Sequence, residues 1–212
     1  MILPAGFYGI ADSDAAPDVL RLARRLLRGG APTLQLRMKH RPRGEIRRAL
    51  AILVRESAKV GAVLVLNDHV DLAAEFPGVG LHLGQDDIDP REARKRLGPE
   101  RLIGWSTHDL LQIRTAEAMS VDYVGFGPVF SAAGKHLHPA DTRTEAAARG
   151  VVGLAAAVTA SRIPVVAIGG IGRDQLPSVL STGVHAVAAI GAPARAADPE
   201  AEAAHWVAAC RR

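Results

Sequence analysis

Short runs of apolar and β-branched residues recur along the chain at intervals of roughly 20–30 residues. The segments between them place apolar side chains three and four positions apart, as at Ile46, Ala49, Leu50 and Leu53, which is typical of an amphipathic helix. Strand alternating with helix predicts a parallel sheet with helical crossovers. The predicted strands, eight in number, are residues 7–11, 33–37, 62–66, 78–83, 101–105, 123–126, 165–168 and 186–190.

Eight such units in 212 residues fit the closed (β/α)₈ barrel, which is found from about 200 residues upwards. An open, doubly wound sheet is the alternative, but the even spacing and the lack of an obvious edge strand favour closure. We therefore predict an α/β chain in which residues 1–212 form a single TIM barrel domain. In that fold the chemistry gathers at the carboxyl ends of the strands, so the residues that follow each run are the candidates.

Composition narrows the class of ligand. Hydrophobic residues make up 48% and charged residues 23%, which indicates a globular protein. Neither a membrane span nor a secretion signal is visible, and the single cysteine, Cys210, excludes a disulfide framework, so we expect a cytoplasmic protein. The net charge of +4 favours anionic ligands, while an aromatic content of 4% disfavours nucleic acid. Small phosphorylated substrates are the predicted partners. Barrels of this size often pair, so a homodimer is one candidate state, although the sequence does not determine the oligomeric state.

Cationic side chains end the second run. Gln35, Arg37 and Lys39 occupy alternate positions and should face the barrel interior, where an unpaired cation costs several kcal/mol. An anionic ligand would meet that need. The alternative is that Lys39 has already left the strand and Arg37 pairs with a carboxylate of a neighbouring strand.

Acidic side chains follow the next two runs. Asn67 and Asp68 end the third run, and Asp86 and Asp87 follow the fourth. Carboxylates from adjacent strand ends can meet at one point, where Mg²⁺ would neutralise them and complete its shell with water and phosphate oxygens. The alternative is that these aspartates cap the helices that follow them.

Three later segments carry further candidates. Ser106 and His108 end the fifth run, where Ser106 either bonds a ligand or caps a helix, and where His108 has a pKa suited to proton transfer. Glycines follow the last two runs, at Gly170 and Gly191, and allow backbone N–H groups to approach a phosphate. The longest irregular segment, residues 127–150, is a candidate lid.

Taken together, these segments resemble the thiamine phosphate synthase family, in the same order, from about Tyr8 to Ala192. The resemblance implies a (β/α)₈ barrel that joins hydroxymethylpyrimidine diphosphate to a thiazole phosphate and releases diphosphate with the help of Mg²⁺. It implies a dissociative reaction through a pyrimidine methylene cation, for which no protein nucleophile is required. The segments that carry it are residues 35–39, 67–68, 82–87, 104–108, 123–130 and 167–171.

The resemblance also implies roles by position. Asp68 and Asp87 would hold Mg²⁺, and Arg37, Lys39 and Lys135 would be the catalytic residues that stabilise the departing diphosphate. The thiazole phosphate would be bound by Gly170, Ile190 and Gly191. The pyrimidine diphosphate would be bound by Gln35, Arg37, Lys39, Asn67, Ser106 and Lys135.

Three hydroxyl groups usual in the family are missing. Ala132 and Gly134 stand where it has threonines, and Gly191 where it has a serine. Each lost hydrogen bond is typically worth about 0.5–1.5 kcal/mol, which weakens the expected thiazole site. Two other hypotheses therefore stay open: a thiazole tautomerase that uses His108 as its base, and a barrel that binds a thiamine precursor without turning it over.

Overall fold

The computed structural model describes residues 1–131 and 147–211, and these form a closed barrel in which each strand pairs in parallel with the next and β8 pairs with β1. The predicted barrel is therefore confirmed; that residues 1–212 make up one domain stays a prediction. The strands are β1 (Gly6–Asp12), β2 (Thr33–Arg37), β3 (Val63–Asn67), β4 (Gly80–Leu83), β5 (Ile103–Thr107), β6 (Tyr123–Phe126), β7 (Val165–Ala167) and β8 (Ala186–Ala189).

Helices cover the outside of the barrel with their apolar faces. In the first of them, Leu22, Ala23 and Leu26 are buried at helical spacing. Within the described ranges, no helix has the length and apolar character needed to cross a membrane. The helices are α1 (Val19–Arg28), α2 (Arg43–Lys59), α3 (Val70–Glu75), α4 (Pro90–Leu97), α5 (Leu110–Ala118), α6 (Gly150–Ala160), α7 (Leu176–Leu180), α8 (Gly191–Arg195) and α9 (Pro199–Ala209), with a 3₁₀ turn at Arg173–Gln175.

The fifth strand lies two residues later than predicted, at Ile103–Thr107 instead of 101–105. The reason is Arg101, whose guanidinium donates to the carbonyl oxygens of Ala73, Phe76 and Val79 and so fixes the chain before the strand begins. Because of this shift, Ser106 lies within the strand and lines the barrel mouth.

Two glycines make room for aromatic rings inside the barrel. The strand register sets His82 beside Gly104, and Gly104 beside Tyr123. A Cβ atom on Gly104 would lie 2.0 Å from the Tyr123 ring, and one on Gly125 would lie 3.3 Å from the His82 ring. The missing side chains let the two rings stack with centroids 5.5 Å apart.

Candidate active site

A cavity of about 120 Å³ opens at the carboxyl ends of the strands. One water needs roughly 10–15 Å³ of such space, so the cavity has room for a small ligand. Seven of the residues predicted from the sequence line it together: Gln35, Arg37, Lys39, Asn67, Asp68, Ser106 and Ile190.

The cationic side chains of this cavity are already paired with carboxylates. Nη1 of Arg37 donates to Oδ2 of Asp12 at 2.7 Å, and Nζ of Lys39 lies 3.2 Å from Oδ2 of Asp68. The alternative interpretation, that Arg37 pairs with a carboxylate of a neighbouring strand, is thus correct, since Asp12 is the last residue of β1. A guanidinium carries five N–H donors, however, so Arg37 keeps donors for a phosphate group.

Asp68 forms the acidic side of the cavity, and the carboxyl group of Asp87 lies close enough to act on it, although Asp87 is not among the described residues that line the cavity. Burial and the neighbouring Asp87 raise the pKa of Asp68 to about 6, against the opposing effect of Lys39. Asp87 is held in place because its Oδ2 accepts the backbone N–H of Gly84 at 2.6 Å. Asp68 has a φ of 66°, a left-handed conformation that aspartate tolerates better than most residues.

This pair of carboxylates fits a magnesium site that is completed by substrate. Across residues 1–131 and 147–211, no cluster of three histidine, cysteine or acidic side chains is arranged to hold a metal ion. Mg²⁺ typically takes one or two carboxylates and fills its remaining positions with water and phosphate oxygens. A cation bound by Asp68 and Asp87 would compensate the burial and the neighbouring carboxyl group that raise the pKa of Asp68.

The helix-capping alternatives for the polar candidates are wrong. The helix α4 is capped by Asp89, which accepts the N–H of Arg91, and α5 is capped by Asp109. The residue at the N-terminal end of α3 is His69, which makes no capping bond through its side chain. Asp68, Asp87 and Ser106 are therefore not needed as caps.

Asn67 presents an unused donor. Its side chain is buried, and Nδ2 has no hydrogen-bond partner within the described part of the chain. A buried donor without a partner costs about 1–3 kcal/mol, which is tolerated where a ligand supplies the acceptor.

The sequence did not identify two aromatic residues that line this cavity, Tyr8 and Tyr123. Their hydroxyl groups lie 2.9 Å apart, and they connect Gln35 on one side with His82 and Ser106 on the other. The only signal in the sequence was that these rings occupy inward positions of β1 and β6. Their contact spans 115 residues, so no local pattern shows it.

The glycine turns lie after β7 and β8, as predicted, but Gly170 and Gly191 are not among the described residues that line the cavity. Gly170 has a φ of 64°, and a Cβ atom there would lie 2.4 Å from the carbonyl oxygen of Phe130. Glycine is therefore required at this position, because the backbone of Phe130 approaches it closely. Lys135, Ala132 and Gly134 lie outside the described residues.

His108, the base of the tautomerase hypothesis, does not line the cavity. Its Nδ1 lies 2.6 Å from the carbonyl oxygen of Gly127, a contact that holds the ring at the end of β6. Among the described residues, no hydrogen bond joins the His108 ring to a second titratable side chain.

Comparisons with a family model, with related sequences and with solved structures all point to one family. A family model described as thiamine monophosphate synthase matches residues 7–192. The thiamine-phosphate synthase of Myxococcus xanthus is 37% identical over 198 residues, covering 92% of this chain and 88% of that protein. That of Anaeromyxobacter dehalogenans is 41% identical over 196 residues, covering 91% and 83%. The solved thiamine phosphate pyrophosphorylase of Pyrococcus furiosus matches with a TM-score of 0.86 at 31% identity, covering 97% and 95%.

Proposed function

This chain belongs to the thiamine monophosphate synthase family, and from that membership and the cavity we propose how its residues carry out the reaction. The protein is an enzyme, a transferase that joins 4-amino-2-methyl-5-hydroxymethylpyrimidine diphosphate to a thiazole phosphate. The products are thiamine phosphate and diphosphate. The observation that carries the assignment of residues is that Arg37, Lys39 and Asp68 meet at one cavity. Asp87, which follows β4, acts on Asp68 from beside that cavity.

Arg37, Lys39 and Asn67 bind the diphosphate group of the pyrimidine substrate. The two cations are anchored by Asp12 and Asp68 at 2.7 and 3.2 Å, so they are already oriented before substrate arrives. Nδ2 of Asn67, which has no hydrogen-bond partner among the described residues, supplies a further donor. Fixed donors of this kind favour the state in which the most negative charge has developed on the leaving group.

Asp68 and Asp87 are the residues that would hold Mg²⁺. The ion would supply positive charge to the phosphate oxygens and so assist the departure of diphosphate. The raised pKa of Asp68 supports this role, because burial and the nearby Asp87 favour its protonated form, and a cation bound by the two carboxylates would favour the ionised form.

The reaction needs no nucleophile from the protein. The bond between the methylene carbon and the diphosphate oxygen breaks, and its electron pair leaves with the oxygen. The thiazole nitrogen then donates its lone pair to the methylene cation and forms the new bond. Arg37, Lys39 and, by its place in the family, Lys135 act as electrostatic catalysts of the first step.

Gly170, Ile190 and Gly191 bind the thiazole phosphate. Ile190 supports this proposal because it lines the same cavity, and the two glycines because they lie in the segments that follow β7 and β8. The loops after these strands are the usual phosphate site of TIM barrels. A cytoplasmic location and a homodimer stay predictions; sedimentation of the purified protein measures the second.

The experiment that tests the proposed function follows both products. The wild-type protein with Mg²⁺ and the two substrates should form thiamine phosphate and diphosphate in equal amounts, and a chelator should stop both. Asp68→Ala should lower kcat by at least about 100-fold, whereas Asp71→Ala, an exposed aspartate of α3, should not. An unchanged rate in Asp68→Ala would overturn the assignment.

A further inference from the structure

A continuous line of hydrogen bonds crosses the barrel interior and joins two of the substrate-binding residues. Nε2 of Gln35 donates to the Tyr8 hydroxyl at 2.9 Å, and that hydroxyl lies 2.9 Å from the hydroxyl of Tyr123. The Tyr123 hydroxyl lies 3.0 Å from Nδ1 of His82, and Nε2 of His82 lies 3.0 Å from Oγ of Ser106. We call these five side chains the relay. All of them line the cavity.

Each member of the relay has a limited choice of roles. The His82 ring lies between the hydroxyl groups of Tyr123 and Ser106, and a neutral ring there carries one N–H and accepts at the other nitrogen. Each tyrosine hydroxyl has one hydrogen to donate. The direction of one hydrogen bond therefore decides the direction of the next.

The orientation of the Gln35 amide sets that direction. Since Nε2 donates to Tyr8, the hydrogen of Tyr8 goes to Tyr123, and the hydrogen of Tyr123 goes to Nδ1 of His82. The ring then carries its hydrogen on Nε2 and donates it to Ser106. Any break in this direction leaves a hydroxyl hydrogen inside the barrel without an acceptor, which is costly. A full reversal requires the Gln35 amide to turn over as well.

The two ends of the relay consequently present a matched pair of groups to the cavity. At one end Oε1 of Gln35 is left as an acceptor, since the described residues offer it no donor. At the other end Ser106, which accepts from His82, keeps its hydroxyl hydrogen for a ligand. The complement of such a pair is an amino group next to an unprotonated ring nitrogen.

We propose that Tyr8, Tyr123 and His82 are positioning residues that couple Gln35 to Ser106, so that together they recognise the 4-amino group and the adjacent ring nitrogen of the pyrimidine. This inference rests on the proposed function for the identity of the ligand. The acceptor at Gln35 also has a consequence for rate. As the methylene cation forms, the 4-amino group donates electron density and its N–H becomes more acidic, so its bond to Oε1 strengthens towards the transition state.

The direction of the relay is tested in the free protein by ¹⁵N NMR of the histidine rings. The wild type should show His82 protonated at Nε2 and unprotonated at Nδ1, and the opposite tautomer would overturn the proposal. Tyr8→Phe should keep that tautomer, because Tyr123 still needs His82 as its acceptor. Tyr123→Phe should give a mixture of both, because Nδ1 has then lost its donor. Each of these two variants removes one hydroxyl group from the relay, so each serves as a control for the structural effect of the other.

The recognition is tested by calorimetry in the presence of Mg²⁺ with two probes, the 4-aminopyrimidine diphosphate and its 4-oxo analogue, which reverses the donor and acceptor. The wild type should bind the oxo probe at least about 100-fold more weakly. Tyr123→Phe and Tyr8→Phe should each reduce this ratio about tenfold. Thr107→Val, which removes a buried hydroxyl that bonds the Gly125 carbonyl and not the relay, should leave it unchanged.

An equal ratio in wild type and Tyr123→Phe would overturn the coupling. If the wild type binds neither probe and forms no thiamine phosphate, the proposed function fails and with it the identity of the ligand. The NMR result then decides separately whether the relay has the direction argued above.

Discussion

The ammonium nitrogen of Lys39 lies 3.2 Å from the Asp68 carboxylate, so a cation for the diphosphate and a ligand for the metal neutralise each other in the free protein. When diphosphate binds Lys39, the Asp68 carboxylate loses its ion-pair partner unless Mg²⁺ binds together with the anion. The two should therefore bind with positive coupling. Calorimetry with inorganic diphosphate should show affinity rising about 5- to 150-fold when Mg²⁺ is added.

Asp68→Asn should lose most of this coupling. The matched control is Asp71→Asn, which alters an exposed carboxylate three residues further along the chain. Coupling of the same size in Asp68→Asn and in the wild type would contradict the assignment of Asp68 to the metal.

Asn67 should contribute more to the liganded protein than to the free one. Its buried Nδ2 has no partner among the described residues, and bound diphosphate would supply one. The rise in Tm caused by magnesium and diphosphate should thus be smaller by roughly 2–6 °C in Asn67→Ala than in the wild type. Ser57→Ala is the matched control, because the Ser57 hydroxyl is also buried with no partner in the described part of the chain but lies on α2, away from the cavity. Equal ligand-induced shifts in all three proteins would exclude this role.

The sequence predicted the strands well because parallel strands in a barrel are buried on both faces and read as short apolar runs. It also predicted that Gln35, Arg37, Asn67 and Asp68 lie at one end of the barrel, because they stand at or near the carboxyl ends of their strands, and all four line the cavity. Contacts between side chains from distant segments of the chain were harder to predict. Asp12 is an inconspicuous residue until the register of β1 and β2 sets it beside Arg37.

The relay was hidden for the same reason. Tyr8, His82 and Tyr123 come from three different strands, and their contact depends on Gly104, whose importance is visible only as the space that the Tyr123 ring fills. A sequence pattern shows which face a residue occupies, but not which residue fills the space opposite a glycine.

Gly191→Ser should strengthen the binding of the thiazole phosphate. A Cβ atom at Gly191 would meet the guanidinium of Arg195 at 2.5 Å, which is the flexible end of an exposed side chain and can move aside. The new hydroxyl would restore one hydrogen bond that is usual in the family, so KM for the thiazole phosphate should fall about two- to tenfold. Gly191→Ala separates the hydroxyl from the added carbon, and an equal fall in KM for alanine would contradict the explanation.

His82 should make the folded protein less stable in mild acid. Burial lowers its pKa from 6.5 to about 4, so between these values the unfolded chain binds a proton at this residue that the folded protein does not. Stability is therefore fully present above pH 6.5 and is lost as the pH falls towards 4, by up to about 3 kcal/mol. Urea unfolding of His82→Gln across this range should show a shallower fall than the wild type. His205→Gln, which removes an exposed histidine of α9, should keep the wild-type slope. If the free energy of unfolding fell equally with pH in His82→Gln and in the wild type, His82 would accept a proton in the folded barrel at no cost. Its contacts with Tyr123 and Ser106 argue against that result.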